Sequence, residues 1–160
     1  MTDTAKHFIE ESREFLSDKY LPKIERCLEQ LTDEDIWWRP NEESNCIGNL
    51  VLHLEGNVRE WILGGVGALP FERVRQQEFD ERRMISRAEL IERLRKIVAE
   101  ADAVLANTDA AILTERRQIQ GRDVTVLRAI YHVVEHFSMH VGQIFMLTKM
   151  RTERDLKLYL

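Results

Sequence analysis

The residues best suited to chemistry in this chain are its histidines. Only five occur, and His132, His136 and His140 follow one another at spacings of four. Side chains four apart on a helix lie only about 40° apart around the axis, so neighbouring members of this set share a face. With His136 as the origin, Val126, Ile130, Val133, Phe137, Val141 and Ile144 fall between about 60° and 140°, which is the core direction. His140 then lies about 40° toward the core and His132 about 40° toward solvent, so His136 and His140 are the inward pair and His132 is left on the surface or in support behind the ligands.

A second stretch repeats the design. Around His53 the apolar residues Ile47, Leu50, Leu54, Val58 and Trp61 occupy about 60° to 140°, and Asn49, Asn57 and Glu60 line up within about 40° of the histidine. Two histidines one turn apart and a third on a neighbouring helix can present three imidazole nitrogens to one divalent ion at about 2.0 to 2.1 Å. Three neutral ligands suit zinc or nickel and leave a coordination position open for water or substrate.

Other readings of the same residues are weaker. HVVEH, from His132 to His136, fits the HxxEH signature of inverted zincins, but Glu135 points about 100° from His136, away from the core. No ExxH precedes His53, His136 or His140, so a ferritin-like di-iron site is set aside. His7 is isolated, expected to be exposed, and is given no role. Cys27 and Cys46 lack a CxxC spacing and read as free thiols, with no base or cation to make either a nucleophile.

The elements that must carry these histidines read as helices. Phe8, Ile9, Phe15, Leu16, Ile24, Leu28 and Leu31 recur with a helical period over about 4–31, interrupted by Pro22, which predicts one long helix kinked near Tyr20. TDEDIWWRPNEESN reads as a connection with a short helical turn, its Trp37 and Trp38 free to cover a bundle end. A second helix is expected over about 47–63, closed by Gly64-Gly65. A third opens on Ser86-Arg87-Ala88-Glu89, a capping box, and continues to about Ala106. The last should start near Asp123 or Thr125 and run to about Lys149, with Leu156, Leu158 and Tyr159 of the tail able to fold back. The long connection from Gly64 to Ile85 contains the charged stretch FERVRQQEF, at 71–79, a candidate for the mouth of the site.

This is an all-α pattern: one four-helix bundle domain over 1–160 with a long connection between helices 2 and 3, and no strand-like alternation. An apolar content of 44% supports a sizeable core. The net charge of −5, from 23 basic and 28 acidic residues without a long single-sign run, gives no footprint for nucleic acid or an anionic membrane. No apolar run reaches the roughly 18 residues of a membrane span and the N-terminus has no leader pattern, so a cytoplasmic protein is expected.

Taken in order, DIWWRP, NCIGNLVLHLEGNVREWILGG, ERVRQQEF and HVVEHFSMHVGQI resemble the DinB superfamily, specifically its YfiT-like branch of metal-dependent hydrolases. HVGQI resembles that family's HRGQI, with Val141 in place of the basic residue. The resemblance implies a helical bundle holding a divalent metal through His53, His136 and His140, and a homodimer. Relatives include transferases that use a low-molecular-weight thiol and a thiol-dependent isomerase, so it also implies a thiol S-transferase or hydrolase acting on a small molecule. In such a site Asn57, Glu60 and Gln143 are the candidate catalytic residues, bonding water or substrate or orienting the ligands. A non-catalytic metal-binding bundle and a metal-free oligomeric interaction protein are the competing expectations.

Overall fold

The computed structural model describes the backbone of residues 2–157 and the side chains of residues 4–157. Its first helical column is α1 (Thr2–Glu14), a π-helical turn at Phe15–Tyr20 and α2 (Leu21–Glu29). Pro22 has no N–H to donate and its ring crowds the carbonyl four residues back. At the position where the sequence predicts a kink the column widens to a π turn, with Leu21 N–H reaching Leu16 O.

A short helix, α3 (Asp33–Trp37), follows. It carries a complete capping box, in which Thr32 accepts from Asp35 N–H while the Asp35 carboxylate accepts from Thr32 N–H. The second column is α4 (Ile47–Val58), continued by a π-helical segment at Arg59–Val66. Gly64 and Gly65 therefore do not close this helix, contrary to expectation. They lie inside it, where neighbours come too near for a side chain: a Cβ would collide with the Phe71 ring at Gly64 and with Ile119 at Gly65. The connection beyond contains a helix of its own, α5 (Arg75–Asp80).

The third column, α6 (Arg87–Ala106), starts where expected, with the Ser86 hydroxyl accepting from Glu89 N–H. A 3-10 turn at Ala110–Thr114 then leads to a feature that sequence periodicity did not reveal, an antiparallel hairpin of β1 (Arg116–Ile119) and β2 (Arg122–Thr125). Gln120 (φ 52°) and Gly121 (φ 71°) supply its two left-handed turn positions. The fourth column, α7 (Val126–Thr152), is capped by the Thr125 hydroxyl and ends at Glu153 in the left-handed region. Leu156 of the tail folds back and is buried; Leu158 and Tyr159 lie outside the described residues.

The four columns enclose one apolar core, and the fold is all-α apart from the hairpin. Phe137, on α7, is fully buried and stacks on Tyr20 with ring centroids 6.4 Å apart. Ile24, Leu28, Leu54, Ile62, Leu90, Leu94 and Ile144 belong to the same buried cluster. Burying each such side chain contributes about 1.5 to 3 kcal/mol, enough in sum to hold α4 and α7 side by side. That pairing of α4 with α7 positions the histidines.

Candidate metal centre

On α4 the polar stripe is buried as deeply as the apolar face: Asn49 is 0% exposed, His53 4% and Asn57 2%. Such groups are stable only with partners. Two elements provide them, α7 on one side and the segment from Arg73 to Glu81 on the other. His53 and His136 meet across the α4–α7 seam with their Nε2 atoms 2.9 Å apart. His140 lies edge-on to both, with ring centroids 5.2 Å from His53 and 4.4 Å from His136. The donor atoms of the three rings all lie within 4.8 Å of one another.

The outward nitrogens settle which atoms point inward. His53 Nδ1–H donates to Glu78 Oε2 at 2.7 Å. Arg73 Nη2 stands 3.4 Å from the same nitrogen, but the shorter contact to an ionised carboxylate places the proton on Nδ1. His140 Nδ1–H donates to Gln143 Oε1 at 2.6 Å. The lone pairs of His53 Nε2 and His140 Nε2 therefore face the space between the rings, and His140 Nε2 is buried with no hydrogen-bond partner.

That donor set fits a divalent transition ion. A tetrahedral ion about 2.05 Å from each nitrogen needs ligand atoms roughly 3.3 Å apart, a spacing between the 2.9 Å of the His53–His136 pair and the 4.8 Å that bounds the trio. The unpartnered His140 nitrogen is what a third ligand would offer. Neutral imidazoles suit zinc or nickel and not magnesium or calcium, which require oxygen ligands.

Electrostatics also favours the unprotonated state that metal binding requires. Burial, reinforced by the neighbouring His140 and His53, pushes His136 down to about 3. Burial lowers His140 as well, against the opposing bond to Gln143. For Glu78, burial works against ionisation, yet the bonds from His53 and Arg73 outweigh it and hold the carboxyl below its ordinary value. Burial likewise opposes the Arg73 cation, which its bonds to Glu78 and Glu60 more than restore.

The residues expected around the ligands are distributed differently. Gln143 contacts His140 directly. Asn57 Nδ2–H donates to His132 Nε2 at 3.2 Å, not to His53, and the His132 ring lies 4.1 Å from the Trp61 ring. His132 is thus half-buried beside the trio, supporting the site and not lying on the open surface, the second of the two places that helix geometry left to it. Glu60 accepts from Arg73 Nη1 and from Gln120 Nε2, each at 2.7 Å, so it reaches His53 only through Arg73. The 71–79 stretch contributes the partner of His53, Glu78, and the ring packed on it, Phe79, at 4.7 Å between centroids. Neither residue was identifiable as a neighbour of His53 from the sequence. The only signal was a charged segment in a long connection opposite a histidine that needed an acceptor.

The tail of α4 makes room for this arrangement. A Cβ on Gly56, one turn after His53, would collide with the Glu78 carboxylate and stand 2.8 Å from Arg73 Nε. Both cysteines are free and buried, Cys27 in the core and Cys46 at the start of α4, where its sulfur accepts from Asn49 N–H. None of the described helices is long and apolar enough to cross a membrane.

A crystal structure of a DinB-like protein from Bacillus cereus ATCC 10987 superposes on this chain with a TM-score of 0.67 at 20% identity, covering 82% of this chain and 85% of that one. At that identity the likeness establishes the fold alone. No curated protein matches the sequence. A family model described as "Protein of unknown function (DUF1572)" matches residues 3–159, almost the whole chain. That match makes the chain a member of the DUF1572 family, with a fold like that of its solved DinB-like neighbour.

Proposed function

We propose that this protein is a metal-dependent enzyme of the YfiT-like kind, a thiol S-transferase or hydrolase acting on a small molecule, with His53, His136 and His140 as ligands to one zinc or nickel ion. The observation that carries the reading is the outward anchoring of two rings. Glu78 and Gln143 accept from Nδ1–H of His53 and His140, so that His53 Nε2 is directed at His136 and His140 Nε2 is left buried without a hydrogen-bond partner. An ion bound there would act as a Lewis acid, lowering the pKa of a bound water or thiol or polarising an electrophile.

The chain's own residues support an external nucleophile. Burial pushes the Cys27 thiol up to about 11 and raises Cys46 in the same way, so neither is a thiolate near neutral pH. A low-molecular-weight thiol or water is therefore the acting nucleophile. Gln143 orients His140, while Asn57 holds His132 against Trp61 at the edge of the site, and Glu60 steadies Arg73. In the same reading the molecule is a homodimer, for which the exposed apolar residues Leu127, Tyr131, Met139, Met146 and Met150 along α7 provide a face. Sedimentation velocity tests that part.

One observation favours a second reading. The His53–His136 contact at 2.9 Å is a good N–H···N hydrogen bond in its own right, as a non-catalytic bundle with a hydrogen-bonded histidine strip would have. Metal content by plasma mass spectrometry separates the two, on tag-free protein and on the His53→Ala and His136→Ala/His140→Ala variants. About one zinc or nickel per chain, lost in both variants with helicity retained, supports the metalloenzyme and directs thiol-transfer and hydrolysis assays. Absence of metal after reconstitution rejects it.

A further inference from the structure

The support of His53 comes from one side chain that lies 25 residues further along the chain. Glu78 Oε2 accepts from His53 Nδ1–H at 2.7 Å, and the carboxylate is itself gripped by Arg73, with Nε 2.6 Å from Oε1 and Nη2 2.9 Å from Oε2. The Arg73 side chain is only 5% exposed and that of Glu78 11%. Arg73 extends to Glu60, and Glu60 to Gln120 at the hairpin turn. A buried ion pair is costly to desolvate and contributes little net stability compared with apolar residues of similar volume. Here the helix bearing His53 has given up a side chain, at Gly56, to admit it.

We propose that Glu78 is a positioning residue for the site: it fixes His53 in the Nδ1–H tautomer and holds its ring so that the Nε2 lone pair meets His136 and His140, with Arg73 gripping both carboxylate oxygens and keeping them aimed. This rests on the metal-centre reading for its consequence, but the tautomer itself belongs to the metal-free protein. Buried carboxylates behind metal-bound histidines set ring orientation and ligand basicity, and their loss typically weakens metal affinity 10- to 100-fold.

The experiment compares the native chain with Glu78→Ala and with the double variant Glu78→Leu/Arg73→Met. The double variant replaces the ion pair by apolar groups and guards against a fold lost to an unpaired buried arginine. Two quantities are read on protein whose helicity is verified by circular dichroism: the His53 tautomer, from long-range ¹H–¹⁵N spectra of the metal-free form, and zinc affinity, from competition with a chromogenic chelator. Expected are the Nδ1–H form in the native chain, the Nε2–H form in both variants, and zinc affinity lower by about 10- to 100-fold. An unchanged tautomer with zinc affinity within about twofold of native, in either folded variant, overturns the proposal. If the native chain binds no zinc, the metal reading fails on its own, while the tautomer still reports whether Glu78 positions the ring.

Discussion

The side-chain amide of Asn49 donates to the backbone carbonyl of Glu78 at 2.7 Å and to that of Glu81 at 3.2 Å. Asn49 precedes His53 by one turn on α4, so the helix that presents the histidine also fastens the end of the segment that supplies its acceptor. The Asn49 oxygen is occupied too, by Arg39 Nη2 at 2.5 Å and the Cys46 thiol at 2.9 Å. α5 is short and none of its residues is fully buried, so these polar ties act together with the contacts of Glu78 and Phe79 to His53 in attaching it.

Asn49→Ala removes both ties and strands two carbonyls. The expected cost is about 1 to 3 kcal/mol of stability, read as a lower urea midpoint, together with weaker zinc binding. A midpoint equal to native would show that α5 is held by other contacts.

Gly56→Ala separates helix propensity from site geometry. On an ordinary exposed helix this change stabilises by about 1 kcal/mol. Here the new methyl meets the Glu78–Arg73 pair, so the expected result is no gain in stability and a fall in zinc affinity. A stabilised variant with native affinity would mean that the pair yields freely.

Metal-free stability should fall as the solution is acidified. His136 is held near 3 in the folded chain and titrates near 6.5 when unfolded. Below about pH 6.5 the unfolded state takes up a proton that the native state refuses. Stability present at neutral pH is therefore lost progressively between about 6.5 and 3, by up to roughly 1.4 kcal/mol per pH unit for each such group. His140 and His132 shift in the same direction, both through burial, and Glu78 adds a further loss below its unfolded value of 4.5. Urea midpoints at pH 7.5, 6 and 5 in the presence of chelator check this, and a flat profile contradicts it.

The thiols should be silent in the native state. With Cys27 pushed up to about 11 and Cys46 raised by burial, a disulfide reagent at pH 8 is expected to find almost no reactive thiol until denaturant is added, and then two per chain. Prompt modification of the folded protein would indicate opening of α2 or of the start of α4.

Much of this molecule is written locally. Helical periodicity located the four columns because the apolar stripe of an amphipathic helix recurs every three or four residues whatever it packs against. Ser86 marked the start of α6 because capping involves only neighbours in the chain. The angular positions of His53, His136 and His140 also follow from helix geometry, and with them the three-histidine cluster was legible before any tertiary contact was known. Gly64 and Gly65 misled, because a glycine that ends a helix and one that admits Phe71 or Ile119 are the same letter. The hairpin escaped notice because its four-residue strands are rich in charge, with Arg116, Arg117, Arg122 and Asp123 outnumbering their apolar residues. What only the tertiary structure decided is the surroundings of the histidines: Glu78 behind His53, Asn57 turned to His132, Glu60 joined to Arg73 and Gln120. Such pairings join single side chains on segments 13 to 75 residues apart, so no periodicity in the chain encodes them, and they exist only once packing has brought those segments together.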